Sequence, residues 1–218
     1  EDHRVLTTER GDVPVRDLQI GEHLILQGPG FGRRAVSEKL ALAIGVAVGD
    51  GCIARSQTRS GLEEIVTLVM AREEAGVLDR IAGEVNEQKR GLRAAGSVGN
   101  PSDVRVSVGE ESVSRLSFAS RSVVEQFKAF SVLDRGSENK RFTDAAFDLD
   151  RPSMAALLRG LFTADGTVAN YGDKSQYVAL DSTSAELLGQ VQTMLLSFGI
   201  KSKIYVDRRG ETTEALLP

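Results

Sequence analysis

A chain of 218 residues is long enough to bury a core, and 41% hydrophobic with 27% charged residues describes an ordinary globular protein. No apolar run approaches 18 residues, and a net charge of −4 with a pI near 5.4 runs against a general nucleic-acid binder, so such a role needs a locally basic surface. One cysteine, Cys52, excludes an intramolecular disulfide and a cysteine-rich zinc site, and two histidines do not suggest a histidine site, so a metal would be a hard cation on carboxylates.

Residues 1–28 read as a small β segment: a strand over His3–Thr8, a turn at Glu9–Asp12, a strand over Val13–Leu18 and a third over Ile20–Leu26. Residues 29–36 are a Gly-rich linker, and no Gly-Lys-Ser/Thr follows to make it a phosphate loop. Ser37 is placed to cap an apolar helix that ends at Asp50-Gly51, with Glu38 in its first turn. Strands over Cys52–Gln57 and Ile65–Ala71 follow, then a helix over Glu73–Arg90 with Val77, Leu78, Ile81 and Val85 on one face. A second hairpin is expected from Arg93–Val98 and Asp103–Val108, and a helix over Ser122–Phe130 closes at Leu133–Gly136. Residues 37–136 therefore read as αββαββα.

Residues 137–218 start the same order again. Arg151-Pro152-Ser153 opens a helix with Ser153 as cap, and that helix ends at Asp165-Gly166. Strands over Gly166–Tyr171 and Gln176–Asp181, a helix over Ser184–Phe198 and a strand over Ile200–Asp207 complete the reading. On this count the second half is incomplete, lacking the last strand and helix of the first.

Two stretches share a layout, Leu42–Gly51 and Leu157–Gly166. Each has a Gly five residues before an Asp, a small residue (Gly49, Ala164) just before it and a Gly after it. Small residues at i and i+4 leave a groove in which two helix backbones can nearly touch. Gly inside a helix costs about 0.5–1 kcal/mol relative to Ala, so Gly45, Gly49 and Gly160 need a packing reason. Gly51 and Gly166 are expected to end their helices in a left-handed conformation. Asp50 and Asp165 face the negative end of the helix dipole, an arrangement that a divalent cation would relieve. A plain Asp-Gly helix stop before a strand is the structural alternative.

Leu158–Gly166 resembles the signature nonapeptide of the LAGLIDADG homing endonucleases. Ala43–Gly51 is similar to a degenerate first copy that departs at several apolar positions and keeps the Gly, the small residue, the Asp and the final Gly. The resemblance implies an α+β fold of two pseudo-symmetric αββαββα halves, residues 37–136 and 137–218, with the signature helices at the centre. It implies a monomer with pseudo-twofold symmetry, no membrane partner, an intracellular setting, and a saddle of sheets on double-stranded DNA that is cut in both strands.

By that resemblance Asp50 and Asp165 would ligate a divalent cation, Mg²⁺, with the carbonyls of Gly49 and Ala164. Glu138-Asn139-Lys140-Arg141-Phe142 is similar to the family block whose lysine assists catalysis, which assigns that role to Lys140; Thr143 stands where proline is common. DNA reading would fall to outward strand side chains, Arg55, Gln57, Arg59, Arg105, Lys174, Gln176, Lys201 and Lys203. Cys52 is expected to be buried.

Asp2-His3-Arg4-Val5, with Gly11 and Leu18–Glu22, resembles the histidine-bearing block in the splicing region of inteins, where His3 would polarise the scissile peptide. The host exteins are then further partners, and the chain is not expected to splice alone. Three alternatives remain beside the endonuclease: a LAGLIDADG-derived DNA-binding module that does not cut, a helix-paired structural domain, and ordinary solvated roles for His3, Lys140 and the strand cations.

Overall fold

The computed structural model describes residues 3–26, 28–58, 61–96, 102–109, 112–172 and 176–205. The chain divides into two compact units, residues 1–30 with 192–218, and residues 31–191.

In the first unit, β1 (Arg4–Thr7) and β2 (Gly11–Pro14) form an antiparallel hairpin in register Val5 opposite Val13. The predicted second strand stops early, because Val15–Asp17 turns into a 3₁₀ helix. The predicted third strand over Ile20–Leu26 is reduced to a bridge between Thr7 and Leu24 flanked by two backbone bonds, Thr8 N to His23 O and Ile25 N to Leu6 O. Gly21 has φ +96°, and Glu22 is drawn aside to accept from the Arg10 guanidinium and the Gln19 amide. His3 is exposed, and its carbonyl accepts from the Val15 amide. Residues 200–205 carry no strand pairing among the described residues, and Val206 and Asp207, the rest of the strand expected there, lie outside them.

In the second unit, α1 (Glu38–Asp50) leads directly into β3 (Gly51–Thr58) and β4 (Gly61–Ala71), followed by α2 (Ala75–Ala94), β5 (Ser107–Val108), β6 (Val113–Phe118) and α3 (Arg121–Phe130). The αββαββα order of the first half is present, with one correction. Arg93 belongs to the end of α2, and β5 pairs with β6, a strand not expected from the sequence; Val98 lies outside the described residues. The inward positions of β6 are Ser114, Leu116 and Phe118, so its alternation begins with a serine inside and a valine outside. The antiparallel sheet runs β3-β4-β6-β5.

After β7 (Ser131–Val132) and β8 (Arg141–Phe142), the second half opens with α4 (Arg151–Asp165), β9 (Gly166–Asn170), β10 (Gln176–Leu180) and α5 (Ala185–Ser197). Asp150 caps α4, accepting from the Ser153 amide, so Ser153 is not the cap. Ser153 Oγ instead accepts from Val36 N (2.9 Å) and donates to Val36 O (3.0 Å). Ser37, expected to cap α1, donates instead to the buried carboxylate of Glu84.

The centre of the unit is the α1–α4 pair. Contacts advance in the same direction along both helices, from Val36–Ser153 to Gly45–Gly160 to Gly49–Ala164, so the helices are parallel. A Cβ on Gly160 would strike the carbonyl oxygen of Leu42 and one on Gly49 would lie 2.5 Å from the Ala164 Cβ, so the glycines permit backbone-to-backbone approach. Gly51 and Gly166 are not left-handed; their φ values are −119° and −81°. Glycine is needed there because a Cβ would run into Ala47 O or Phe162 O, one turn back in each helix.

The sheet has two unlike faces. Ile53, Val66, Leu68, Met70, Leu116 and Phe118 turn toward the helices and are buried. The opposite, open face carries Cys52, Ala54 and Ser56 of β3, Glu63, Ile65, Thr67 and Val69 of β4, and Arg115 and Ser117 of β6. Cys52 is exposed, contrary to expectation, because Ile53 takes the inward position and fixes the parity of the strand.

The two halves match in register: Gly51 pairs with Leu68 as Gly166 pairs with Leu180. Val168 and Val178 thus correspond to Ile53 and Val66. The first-half residues are 7% and 0% exposed, whereas Val168 and Val178 are 78% and 64% exposed.

Candidate functional site

The parallel helices deliver Asp50 and Asp165 to one end of the pair, both half-buried. A Cβ on Gly49 would lie 3.1 Å from Asp165 Oδ2, so this carboxylate rests against the backbone of the other signature helix. Burial raises the Asp50 carboxyl to about 6, assisted by the charge of Asp165 and opposed by Lys140. Burial likewise raises Asp165, with Lys140 opposing and Asp181 adding. Glu74 adds a smaller push on Asp50. Neither Glu74 nor Asp181 was singled out from the sequence, since nothing in the spacing marks a carboxylate across a turn from the signature Asp.

Lys140 completes the cluster. Its Nζ donates to the Gly49 carbonyl, and burial lowers its pKa against the pull of Asp165 and Asp50. The lysine follows a 3₁₀ turn over Ser137–Asn139 that begins after Gly136, whose φ of +84° favours glycine. Asn139 Nδ2 donates to Arg135 O across that turn. The second half fastens the strand beyond it: Ser184 Oγ donates to Lys140 O (2.7 Å), and Gln190 bonds both Phe142 N and Phe142 O. Thr143, at the family's proline position, uses its amide to bond Phe130 O.

The geometry brings together Asp50, Asp165, Lys140 and Gly49, with Ala164 beside Gly49. Of the expected DNA-reading residues, Arg55 and Gln57 do not lie on the open face. Arg55 and Gln57 share the inward parity of Ile53, beyond the edge of the core; Arg55 pairs with Glu64 (3.3 Å) and Asp134 (3.7 Å). Gln176 is exposed and shares the parity of Val178, which is 64% exposed. Arg105 is exposed in an extended segment before β5, and Lys201 and Lys203 are exposed in the unpaired stretch of the first unit. Arg59 and Lys174 lie outside the described residues. Among the described residues, the open face offers Arg115 and the hydroxyls of Ser56, Thr67 and Ser117, the last two in contact at 3.1 Å.

Residues 152–217 match the profile of the LAGLIDADG-like domain. The similarity to that domain lies in the second half of the chain. The matched segment contains the intact signature stretch, Asp165 and everything that follows it through α5. Several curated proteins match part of the chain. The ribonucleoside-diphosphate reductase NrdEB subunit alpha of Bacillus subtilis (strain 168) is 34% identical over 94 residues, covering 41% of this chain and 8% of that protein. A DNA polymerase of Thermococcus hydrothermalis is 37% identical over 71 residues, covering 33% of this chain and 4% of that protein. The chain thus spans under a tenth of the length of the curated relatives it matches. Among solved structures, the I-SmaMI LAGLIDADG homing endonuclease bound to cleaved DNA overlaps 85% of this chain and 77% of its own, at 10% identity and a TM-score of 0.41.

Proposed function

We propose that the chain is the homing-endonuclease region of an intein, making site-specific, metal-dependent double-strand cuts in DNA. The observation that carries the reading is the convergence of Asp50, Asp165 and Lys140 at the end of a parallel helix pair whose backbones touch. A second support is the family match over residues 152–217. The intein context draws on the curated matches as well: similar segments fill 8% of a reductase subunit and 4% of a DNA polymerase. Two proteins with such different names share a segment more readily as an insert than as part of either machinery. On this reading residues 1–28 belong to a splicing region, His3 assists its acyl shift, and the host exteins are the covalent partners.

The residues present fit a hard divalent cation. Two half-buried carboxylates and the Gly49 carbonyl, which also accepts from Lys140 Nζ, offer oxygen donors only. Among the described residues no group of three or more His, Cys, Asp or Glu is placed to hold a metal, so water and phosphate would supply the rest, which suits Mg²⁺. Asp50 and Asp165 would hold it with the carbonyls of Gly49 and Ala164. Once bound, the cation supplies charge neutralisation at the phosphate and a more acidic water. Lys140 contributes a fixed positive charge for the negative charge that develops on the phosphate oxygens, in a half-buried setting where such charges act strongly.

The test is cleavage of a duplex carrying the uninterrupted host sequence, with Mg²⁺, by the parent, Asp50→Asn and Asp165→Asn. Loss of cutting in both variants is expected; cutting at the parental rate by both removes the metal-ligand assignment. Duplex binding without cleavage in any divalent metal would identify the non-cutting DNA-binding module instead.

A further inference from the structure

The open face of the four-stranded sheet is unusual for a surface that would lie on DNA. Along β3, β4 and β6 its described positions include one cation, Arg115, and one acid, Glu63, so the face is formally neutral. Such a face gains little from counterion release beyond Arg115, and most phosphate contacts must be made elsewhere. What it presents instead is aliphatic and hydroxyl surface. Ala54 and Ile65 sit opposite each other, and Val69 lies two register positions beyond Thr67, which touches Ser117. The face is continuous with the candidate site, since β3 begins at the residue after Asp50 and Cys52 opens the row.

We infer that the first half reads thymine methyl groups in the major groove through Ala54, Ile65 and Val69. The inference rests on the DNA reading above and specifies what that DNA must contain. The thymine C5-methyl is the apolar mark on the major-groove edge of a base pair, and aliphatic side chains are its complement. The rotatable hydroxyls of Thr67 and Ser117 can donate or accept, so they tolerate either base of the neighbouring pairs. The half-site beneath this sheet is therefore rich in A·T pairs and is distinguished by methyl contacts instead of by arginine–guanine pairs.

The test uses randomised duplexes retained by the chain in EDTA, which are sequenced, and the best-retained duplex remade with deoxyuridine at every thymine. Uracil keeps the pairing edge and removes only the methyl. Binding of the uracil duplex is expected to be about fourfold weaker per contacted methyl. The variant Ile65→Thr/Val69→Thr, β-branched at both partly exposed positions and checked for parental thermal unfolding, should discriminate the two duplexes clearly less than the parent does, the remainder resting on Ala54 and the smaller threonine methyls. Equal binding of the two duplexes by the parent, or undiminished discrimination in the variant, overturns the inference while leaving DNA binding intact. Retention of no duplex even at low salt would instead overturn the DNA reading itself, and this inference with it.

Discussion

Gly45 and Gly160 cross with no room for a side chain on either. A Cβ on Gly45 would lie 3.0 Å from the Gly160 Cα, 2.8 Å from Leu161 N and inside the van der Waals radius of Leu157 O. All these neighbours are backbone and cannot swing aside. Gly45→Ala and Gly160→Ala are each expected to cost about 2–4 kcal/mol, in the range of severe overpacking. Gly83 in α2 is the contrast: it is exposed with nothing within 4 Å of an added Cβ, and Gly83→Ala should stabilise by about 0.5–1 kcal/mol. Urea denaturation of the three variants checks both signs.

The carboxyl of Asp50, raised to about 6 from an ordinary 3.8, makes stability pH-dependent. Between about pH 4 and 6 the folded state holds this proton more tightly than the unfolded state does. Its contribution is therefore most favourable below that window and declines as pH rises through it. Asp50→Asn should raise the unfolding midpoint above the parent's at pH 7.5 and converge with the parent near pH 4. A gain that is the same at both pH values would show that burial of Asp50 is not the cause. If Asp50 ligates a divalent cation as proposed, the cation competes with the same proton, and Mg²⁺ should raise Tm more at pH 7.5 than at pH 5.

Val66 belongs to the Ile53–Val66 pair that matches Val168–Val178 in register, yet it is 0% exposed where Val168 is 78% exposed. Val66→Asp buries an unpaired charge under the helices and should prevent folding or cost more than about 4 kcal/mol. Val168→Asp should cost under about 1 kcal/mol. Circular dichroism on heating distinguishes the two, and equal losses would mean that the face of β9 and β10 is covered in solution.

Ser114 is fully buried and its hydroxyl has no hydrogen-bond partner among the described residues. Ser114→Ala removes an unsatisfied group at little cost in volume and should stabilise by about 1 kcal/mol in chemical denaturation. An equal loss would reveal a partner for that hydroxyl.

Arg55 spends its charge on Glu64 and Asp134, whereas Arg115 stands on the open face. If the chain holds duplex DNA, Arg115→Ala should weaken binding several-fold and Arg55→Ala by less than twofold, read in the same low-salt titration. Pairs as exposed as those of Arg55 contribute about 0–1 kcal/mol, so this variant should also fold normally.

The signature helices, the paired acids and the lysine were legible because each leaves a local mark: glycines where a helix should have none, Asp-Gly after an apolar run, a basic block at a fixed distance. The faces of the strands were not. Asp50 ends a helix and Gly51 begins a strand, and nothing in Cys52–Gln57 says which parity is inward until Ile53 is seen against Val66 and Leu68. A shift of one residue turned Cys52 outward and carried Arg55 and Gln57 to the helix side. β6 was hidden by its inward Ser114, and the hairpin expected across Arg93–Val98 gave way to a helix whose turn-forming Gly91 and polar Arg93 continue α2 to Ala94.

The backbone contacts between α1 and α4 also govern how the two halves can change over generations. Gly45 lies on the turn of Leu157 and Gly160 on the turn of Leu42, so each half carries the other's vacancy in its own sequence. A side chain acquired in one copy has to be answered in the other, and drift at these positions is tied between the halves. The apolar positions around them carry no such obligation. The first copy has accordingly lost its resemblance at several of these while retaining Gly45, Gly49, Asp50 and Gly51. Among the described residues the open face of the sheet is not packed against these helices, so its side chains can change without disturbing the centre.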